Sequence, residues 1–168
     1  MRPVRSRGYT LIELVVTVLI IGILTSFAVP QYLKTVEIGK ADDAVATANM
    51  IGTTNKMFAL EHSGAYAYGA FPTGAGASCG ASACPTVGPF SSACDLVWCK
   101  YLADQSWGDM PYTYNACSGA TGGGACVAGV TAVAARASTA RSPYNGWGYA
   151  VGTSGVITAS GSAPLPTF

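Results

Sequence analysis

Hydrophobic residues are concentrated in one segment near the start of the chain. The 20 residues from Thr10 to Val29 contain a single charged side chain, Glu13, and a helix of about 20 apolar residues crosses a bilayer core. Arg2, Arg5 and Arg7 precede the segment. Because basic residues stay on the cytoplasmic side of a membrane, the pattern predicts a membrane helix whose C-terminal side is exported.

A secretory signal peptide is the alternative interpretation of this pattern, since it has the same basic start and apolar stretch. The apolar region of such a peptide is about 7 to 15 residues long and ends in a small-residue cleavage site. Here the stretch is longer, carries an acid near its start, and continues into a helical sequence without an A-x-A exit. The pattern therefore favours a membrane helix that is retained.

A second helical stretch follows Pro30. Residues 31–61 contain no proline, and apolar residues recur there at helical spacing, with Asn55 as an interruption. The His-Ser-Gly sequence at 62–64 signals the helix end. The pattern predicts one helix over residues 9–61, about 80 Å long at 1.5 Å per residue, a length that suits a filament better than an isolated compact domain. The apolar positions are Val45, Ala48, Ile51 and Phe58, opposite Lys40, Asp43 and Thr47.

The residues from Gly64 onwards have a different composition. They hold 17 of the 21 glycines, 7 of the 9 prolines, all six cysteines and only six charged residues. We expect a strand over 112–115 and a hairpin with strands over 148–151 and 156–159, whereas 127–135 fits a strand or a short helix. The prediction is an α+β fold in which a small antiparallel β-sheet head packs on the C-terminal half of the long N-terminal α-helix.

Charge and composition narrow the function classes. The net charge is +1 and charged residues are 10% of the chain, against about 25% in typical domains, which argues against a nucleic-acid binder and a typical cytosolic enzyme. The motifs of serine hydrolases, zinc proteases and phosphate loops do not occur. We interpret Asp95, Asp104 and Asp109 as solvated surface groups, and His62, the only histidine, as a structural or surface residue. We expect no catalysis, no cofactor and no metal.

Six cysteines lie in the predicted head, and an even number in an exported domain indicates disulfides. Six cysteines allow 15 pairings, and we favour the sequential set, in which each bond closes a short loop. A structural zinc held by the C-x4-C pairs is the alternative, against which an oxidising compartment and the lack of C-x2-C spacing argue. The favoured pairs are Cys79–Cys84, Cys94–Cys99 and Cys117–Cys126.

The junction between the basic residues and the apolar segment resembles a known family signal. Residues 7–14 read Arg-Gly-Tyr-Thr-Leu-Ile-Glu-Leu: a short basic leader ends in Gly8, an aromatic residue follows, and an acid comes four residues later within the apolar run. This order closely resembles the class III signal sequence of type IV pilins and of type II secretion pseudopilins. Tyr9 stands where the family usually has Phe, which keeps the aromatic character, and Gly22 and Pro30 also fit the family.

The resemblance implies how the N-terminus is processed and used. A prepilin peptidase would cut between Gly8 and Tyr9 and then methylate the new amino group of Tyr9. Glu13 would pair with the amino terminus of a neighbouring subunit, because two opposite charges that are each costly in a low-dielectric environment favour docking. The stretch from Gly22 to Pro30 would kink and would unwind on assembly.

The implied domain organisation has four parts. These are a leader over 1–8, a transmembrane and assembly half-helix over 9–30, an amphipathic half-helix over 31–62 and a disulfide-containing globular head over 63–168.

The implied function is that of a structural subunit of a type IV pilus, which polymerises with itself for adhesion, motility or DNA uptake. Its partners would be other copies of the chain, the prepilin peptidase, the inner-membrane assembly platform, and the membrane before assembly, with no nucleic acid as primary ligand. The prepilin would lie in the inner membrane and the assembled pilus outside the cell.

Two alternatives stay open. A major pseudopilin would form a periplasmic pseudopilus, and residues 107–114 resemble the W-G-N-P-Y-x-Y stretch of such proteins, with Met110 as an extra residue. Against it, the chain has no Asp or Glu after Asp109, whereas a calcium site like that of major pseudopilins needs charged oxygen ligands. The second alternative is a membrane-anchored binding module that never polymerises.

Overall fold

The structure is a computed structural model, which describes residues 9–120 and 126–165. Gly8 and the rest of the leader lie outside the described residues, as does most of the Gly-rich stretch at 119–124. The chain forms two compact units that divide between Ile38 and Gly39. The first contains the apolar segment, and the second contains a β-sheet.

The first unit is the N-terminal part of helix α1 (Leu11–Glu61). None of residues 11–38 is buried within the described chain. The helix is continuous through Pro30, so the long helix predicted from the sequence is confirmed from Leu11 to Glu61.

The second unit contains a five-stranded antiparallel sheet. Its strands pair in chain order, so each strand lies beside the next. A short helix, α2 (Asp95–Trp98), lies in the connection between the first two strands. Antiparallel neighbours can be joined by short turns, which suits the Gly-rich sequence of the head. The strands are β1 (Gly69–Ala70), β2 (Tyr112–Ala116), β3 (Val130–Arg136), β4 (Gly148–Gly152) and β5 (Ile157–Ser160).

The strands predicted from the sequence are confirmed. Residues 112–116 alternate between buried and half-buried positions, as expected of a strand with one covered face. The β4–β5 hairpin turns through Gly155, whose φ of 87° is a conformation that glycine adopts without strain. Residues 127–135, which fit a strand or a short helix, form a strand from Val130 onwards.

From Gly39 onwards, α1 packs on this sheet through one face. The buried residues of α1 recur every three or four positions, which is the spacing of one helix face. Gly52 lies closest to the sheet, because a Cβ there would be 2.9 Å from Thr131 Oγ1 and 3.0 Å from Val151 Cγ1. The α+β fold is therefore confirmed. The buried residues are Ala41, Ala44, Val45, Ala48, Ile51, Gly52, Asn55, Phe58 and Ala59.

Asn55 does not interrupt this face, because it is fully buried and hydrogen-bonded. Its Nδ2 donates to the carbonyl oxygens of Ala67 and Cys117, both at 3.0 Å. The same nitrogen lies 3.3 Å from the Thr131 carbonyl oxygen, and Oδ1 accepts from the Ala67 N–H at 3.0 Å. A buried amide with these partners is satisfied, so Asn55 ties the helix to the sheet and to the chain that follows the helix.

The Trp-Gly-Asp turn before β2 holds the loop that follows β1. Trp107 stacks on Phe71 with ring centroids 4.1 Å apart. The Gly108 N–H donates to the Ala77 carbonyl oxygen at 3.0 Å, and a Cβ at Gly108 would lie 1.6 Å from the Gly74 carbonyl oxygen. Only glycine fits this contact. Packing therefore explains why Trp107 and Gly108 occupy these two positions.

The disulfide pairing corrects two of the three predicted bonds. Cys117–Cys126 is present as favoured from the sequence, but the other cysteines pair as Cys79–Cys94 and Cys84–Cys99. The sequential bonds Cys79–Cys84 and Cys94–Cys99 are wrong because α2 separates Cys94 from Cys99. Five helical residues rise about 7.5 Å, which exceeds the Cα separation of about 4.4–6.8 Å in disulfides. Residues 79–84 are instead bonded to both ends of α2.

Candidate assembly segment

The start of α1 is closed by a reciprocal pair of side chains, Thr10 and Glu13. The Glu13 N–H donates to Thr10 Oγ1 at 3.3 Å, and the Glu13 carboxylate accepts from the Thr10 N–H at 3.4 Å and from its hydroxyl at 3.5 Å. This T-x-x-E arrangement is a capping box, which satisfies N–H groups that have no partner inside a helix. Reasoning from charge alone misses this local role of Glu13, whereas the T-x-x-E spacing identifies it.

Glu13 is the one charged residue between Leu11 and Leu33, a part of the helix that has apolar side chains on every side. All the large apolar side chains between Leu11 and Leu33 are exposed, from 83% at Leu11 to 41% at Leu33. A helix that is hydrophobic all round belongs in a protein core or in a membrane. Helix α1 is long and apolar enough to span a membrane.

The polar side chains of this segment bond to the helix itself. The Thr17 hydroxyl donates to the Leu14 carbonyl oxygen at 2.8 Å, and the Ser26 hydroxyl donates to that of Ile23 at 2.7 Å. The Thr25 hydroxyl donates to Ile21 at 2.9 Å. Polar groups in lipid have no water to bond, so hydroxyls satisfied within one helix are compatible with a membrane.

Gly22 and Pro30 lie within the continuous part of the helix. A Cβ at Gly22 would meet no atom within 4 Å, so packing within the described chain does not require glycine there. Pro30 has no N–H to donate to the carbonyl oxygen of Ser26, four residues earlier. The kink and the unwinding expected at these two residues stay predictions.

The position of Asp95 corrects the expectation of a solvated group, because only 4% of this residue is exposed. Its carboxylate accepts from the Ser92 N–H at 3.3 Å at the start of α2. Burial raises the pKa of Asp95 above its ordinary value, and the bond from Ser92 opposes that rise. Asp95 therefore has a structural role in the turn that carries Cys94.

Asp104 and Asp109 are both exposed, and each holds a loop. Asp104 accepts from the N–H groups of Cys79 and Gly80, both at 3.0 Å, and Asp109 accepts from the Gly76 N–H at 2.8 Å. Desolvation raises the pKa of Asp104, but the backbone N–H bonds, that of Cys79 first, lower it by more, so its pKa lies below the ordinary value. The two carboxylates fix the loop that leads to the disulfides.

Two comparisons find similarity to known proteins, and each covers only part of the chain. The prokaryotic N-terminal methylation motif matches residues 4–29. The chain is 40% identical over 57 residues to the type IV major pilin protein PilA of Myxococcus xanthus (strain DK1622). That match covers 34% of this chain and 26% of the relative, so the chain spans about a quarter of that relative's length. No solved structure matches the chain.

The methylation motif covers Gly8, Tyr9, Glu13 and Gly22, on which the resemblance depends. The chain is therefore similar to a type IV pilin over a limited part of its length. Its fold, in which an N-terminal helix packs its C-terminal part on a small antiparallel sheet, is the α+β arrangement that the resemblance to type IV pilins implies.

Proposed function

We propose that this chain is a structural, non-catalytic subunit of a type IV pilus, which polymerises through residues 9–30 of its N-terminal helix. The observation that carries the proposal is that Glu13 is the single charged residue between Leu11 and Leu33, where exposed apolar side chains lie on every side of the helix. Large exposed apolar surfaces mark interaction sites. Lipid would cover this surface before assembly, and the helices of other copies would cover it afterwards.

The charge of Glu13 gives this assembly its register. Cleavage between Gly8 and Tyr9 would create a cationic amine at Tyr9, and Glu13 of another copy would accept it. Opposite charges 4 Å apart attract by about 4 kcal/mol at an effective dielectric of about 20, whereas a helix cap contributes about 1 kcal/mol. The pairing between copies can therefore replace the bonds that Glu13 makes to Thr10.

Two substitutions separate the local role of Glu13 from its role between subunits. Glu13→Gln keeps a side chain that fits the capping box but removes the charge, so we expect membrane insertion without filaments. Thr10→Ala removes the cap, which costs about 1 kcal/mol, and keeps the charge, so filaments should persist. The measurement is the filament yield in sheared surface fractions relative to the membrane-inserted chain. Wild-type filament yield from Glu13→Gln would contradict the proposal.

The processing steps have their own measurement. Mass spectrometry of the N-terminus of sheared filaments should find Tyr9 as the first residue, with a methylated amine. A chain that keeps its leader in purified filaments would contradict the proposed role of the prepilin peptidase. The other proposed partner is the inner-membrane assembly platform, which would take up the processed chain from the inner membrane.

We propose a surface pilus rather than a periplasmic pseudopilus. The curated relative is named a type IV major pilin, and the chain has no acidic residue after Asp109 to bind calcium. Electron microscopy of the cell surface and fractionation of the periplasm distinguish the alternatives. Fibres at the surface would support the pilus, filaments confined to the periplasm would indicate a pseudopilus, and unassembled chain in the membrane would indicate an anchored binding module.

A further inference from the structure

Three side chains from distant parts of the sequence meet beside the end of α1. A ring nitrogen of His62 and the sulfurs of Cys84 and Cys99 all lie within 4.8 Å of one another. His62 directly follows α1, Cys84 lies in the connection after β1, and Cys99 follows α2. Imidazole and thiolate are ligands found in zinc sites. In the oxidised chain the two sulfurs are bonded to each other.

The imidazole of His62 is already held as a metal-binding histidine is held. Its Nδ1 lies 2.9 Å from the Phe58 carbonyl oxygen, and because a carbonyl oxygen only accepts, Nδ1 must carry the proton. In the neutral imidazole, the lone pair is then on Nε2. The ring also stacks on Phe58 with centroids 3.9 Å apart. A hydrogen bond from one ring nitrogen to a backbone carbonyl is the usual support of a metal-bound histidine.

A second disulfide keeps Cys84 and Cys99 near each other when their own bond is open. Both Cys79–Cys94 and Cys84–Cys99 have a sequence separation of 15, so they join the same two segments at positions five residues apart. Asp104 also fixes the backbone at Cys79. Opening the outer bond therefore leaves the two thiols on segments that are still linked.

Cys84–Cys99 is the most accessible of the three disulfides. Cys84 is exposed and Cys99 is half-buried. In contrast, Cys94 is 6% exposed and Cys117 is fully buried, so each of the other bonds has a buried sulfur-bearing residue. Thiol–disulfide exchange requires access to a sulfur, so a reductant should open Cys84–Cys99 first.

We propose that a dithiol reductant converts the Cys84–Cys99 bond into a Zn²⁺ site formed by His62 Nε2, the two cysteine thiolates and a water molecule. The disulfide takes two electrons and two protons from the dithiol, which becomes a cyclic disulfide, and Zn²⁺ then displaces the two thiol protons to solvent. Zn–S bonds of about 2.3 Å in a tetrahedron place the sulfurs about 3.8 Å apart. The two cysteine side chains must therefore rotate away from their bonded positions when the site forms.

The test uses the full chain in detergent with Co²⁺ as a spectroscopic substitute for Zn²⁺. Mild reduction with dithiothreitol should open one disulfide. After anaerobic removal of the dithiothreitol, alkylation and mass spectrometry should locate the two free thiols at Cys84 and Cys99. The reduced chain should bind one Co²⁺ with the charge-transfer band of thiolate ligands and the visible bands of a tetrahedral site. Zn²⁺ should displace the Co²⁺ and protect two thiols from alkylation, and the oxidised chain should give no such spectrum.

Variants assign the ligands. His62→Phe keeps an aromatic ring beside Phe58 and removes the nitrogen, so the affinity for Co²⁺ should fall by at least the roughly tenfold that loss of an outer-shell partner costs. The pair Cys84→Ser with Cys99→Ser should abolish the spectrum, and the matched pair Cys117→Ser with Cys126→Ser should leave it unchanged. Tryptophan fluorescence checks that each head is folded, and His62→Gln replaces His62→Phe if the latter is not.

Three results would overturn the proposal. They are a folded, reduced chain that shows no tetrahedral Co²⁺ spectrum, a histidine variant that binds Co²⁺ as tightly as the wild type, and protection of four thiols. The last result would indicate a site of four cysteines that also uses Cys79 and Cys94, in which His62 has no part.

Discussion

The two parts of helix α1 have the same secondary structure and opposite surroundings. From Leu11 to Ile38 no residue is buried, whereas nine residues are buried between Ala41 and Ala59. The N-terminal part is the more hydrophobic, so hydrophobicity alone does not decide which part joins the head. The distribution of the apolar residues around the helix decides it. Apolar residues on one face pack on a sheet, whereas apolar residues on all faces require lipid or other helices.

Side-chain size separates the two parts further. The buried face beyond Gly39 contains alanines and Gly52, which let the backbone of the helix approach the sheet. The N-terminal part presents Leu, Ile, Val and Phe side chains instead. A matched pair of substitutions, one in each part, therefore tests whether the parts are energetically independent.

The largest effect is expected for the two phenylalanines of α1. Phe58→Ala removes a fully buried ring and should lower the free energy of unfolding of the head by about 3–5 kcal/mol. Phe27→Ala removes a ring that is 70% exposed and should leave that free energy unchanged. Urea unfolding followed by tryptophan fluorescence measures it, because all three tryptophans lie in the head. Equal effects of the two substitutions would refute the independence of the two parts.

The next effect concerns the buried amide. Asn55→Ala leaves the Ala67 N–H and the carbonyl oxygens around it without their partner, so we expect a loss of about 2–4 kcal/mol in the same urea experiment. Asn49→Ala, at an exposed position of the same helix, is the control and should change stability little. If Asn55→Ala lowers the free energy of unfolding no more than Asn49→Ala does, the hydrogen bonds of Asn55 do not hold the helix on the sheet.

A pH-dependent effect is expected for Tyr114, whose hydroxyl bonds to the side chain of Thr47 on α1. Burial raises the pKa of Tyr114 to about 12, whereas an unfolded tyrosine titrates near pH 10. The folded chain therefore holds a proton that the unfolded chain loses, and stability should fall as the pH rises from about 10 to about 12. The loss should be about 2–3 kcal/mol.

The difference in unfolding free energy between the wild type and Tyr114→Phe isolates this contribution, because the other titrating groups cancel. It should be constant below about pH 10 and decline above it. A difference that does not change with pH would mean that Tyr114 ionises in the folded chain as it does in the unfolded one.

The smallest effect compares two glycines of α1. A Cβ at Gly52 would lie 2.9 Å from Thr131 Oγ1, which is itself bonded to the Val151 carbonyl oxygen, so Gly52→Ala should destabilise the head by about 1–2 kcal/mol. A Cβ at Gly39 would meet nothing within 4 Å, so Gly39→Ala should stabilise the helix by up to about 1 kcal/mol. Thermal unfolding of both variants measures the two effects. Shifts of the midpoint temperature in the same direction would contradict the close contact between helix and sheet.

The regular elements could be predicted because their signals are local. The length and spacing of apolar residues predict α1, and turn residues flanking alternating patterns predict β2 and the β4–β5 hairpin. The two-residue strand β1 has no such pattern and forms because Gly69 and Ala70 pair with β2. The burial of Asn55 depends on carbonyl groups up to 76 residues away, which no local pattern can reveal.

The apolar N-terminal helix could be predicted from the sequence, but the capping of its first turn needed a finer pattern, and the disulfide pairing in the head needed the structure. The capping of α1 by Thr10 and Glu13 is visible in the T-x-x-E spacing. The pairing of Cys79 with Cys94 depends on where α2 begins and ends, which the sequence around the cysteines leaves open. The nearness of His62 to Cys84 and Cys99 is likewise seen only in the folded chain.

The overlap of Cys79–Cys94 with Cys84–Cys99 has a consequence for proteolysis of the head. Because the two bonds overlap in sequence, a protease that cuts any one peptide bond between Cys79 and Cys99 leaves the two fragments covalently attached. The exposed, irregular part of the head can thus be nicked without being shed. Once Cys84–Cys99 is reduced, a cut between Cys94 and Cys99 separates the two fragments, whereas a cut between Cys79 and Cys94 still leaves them attached through Cys79–Cys94.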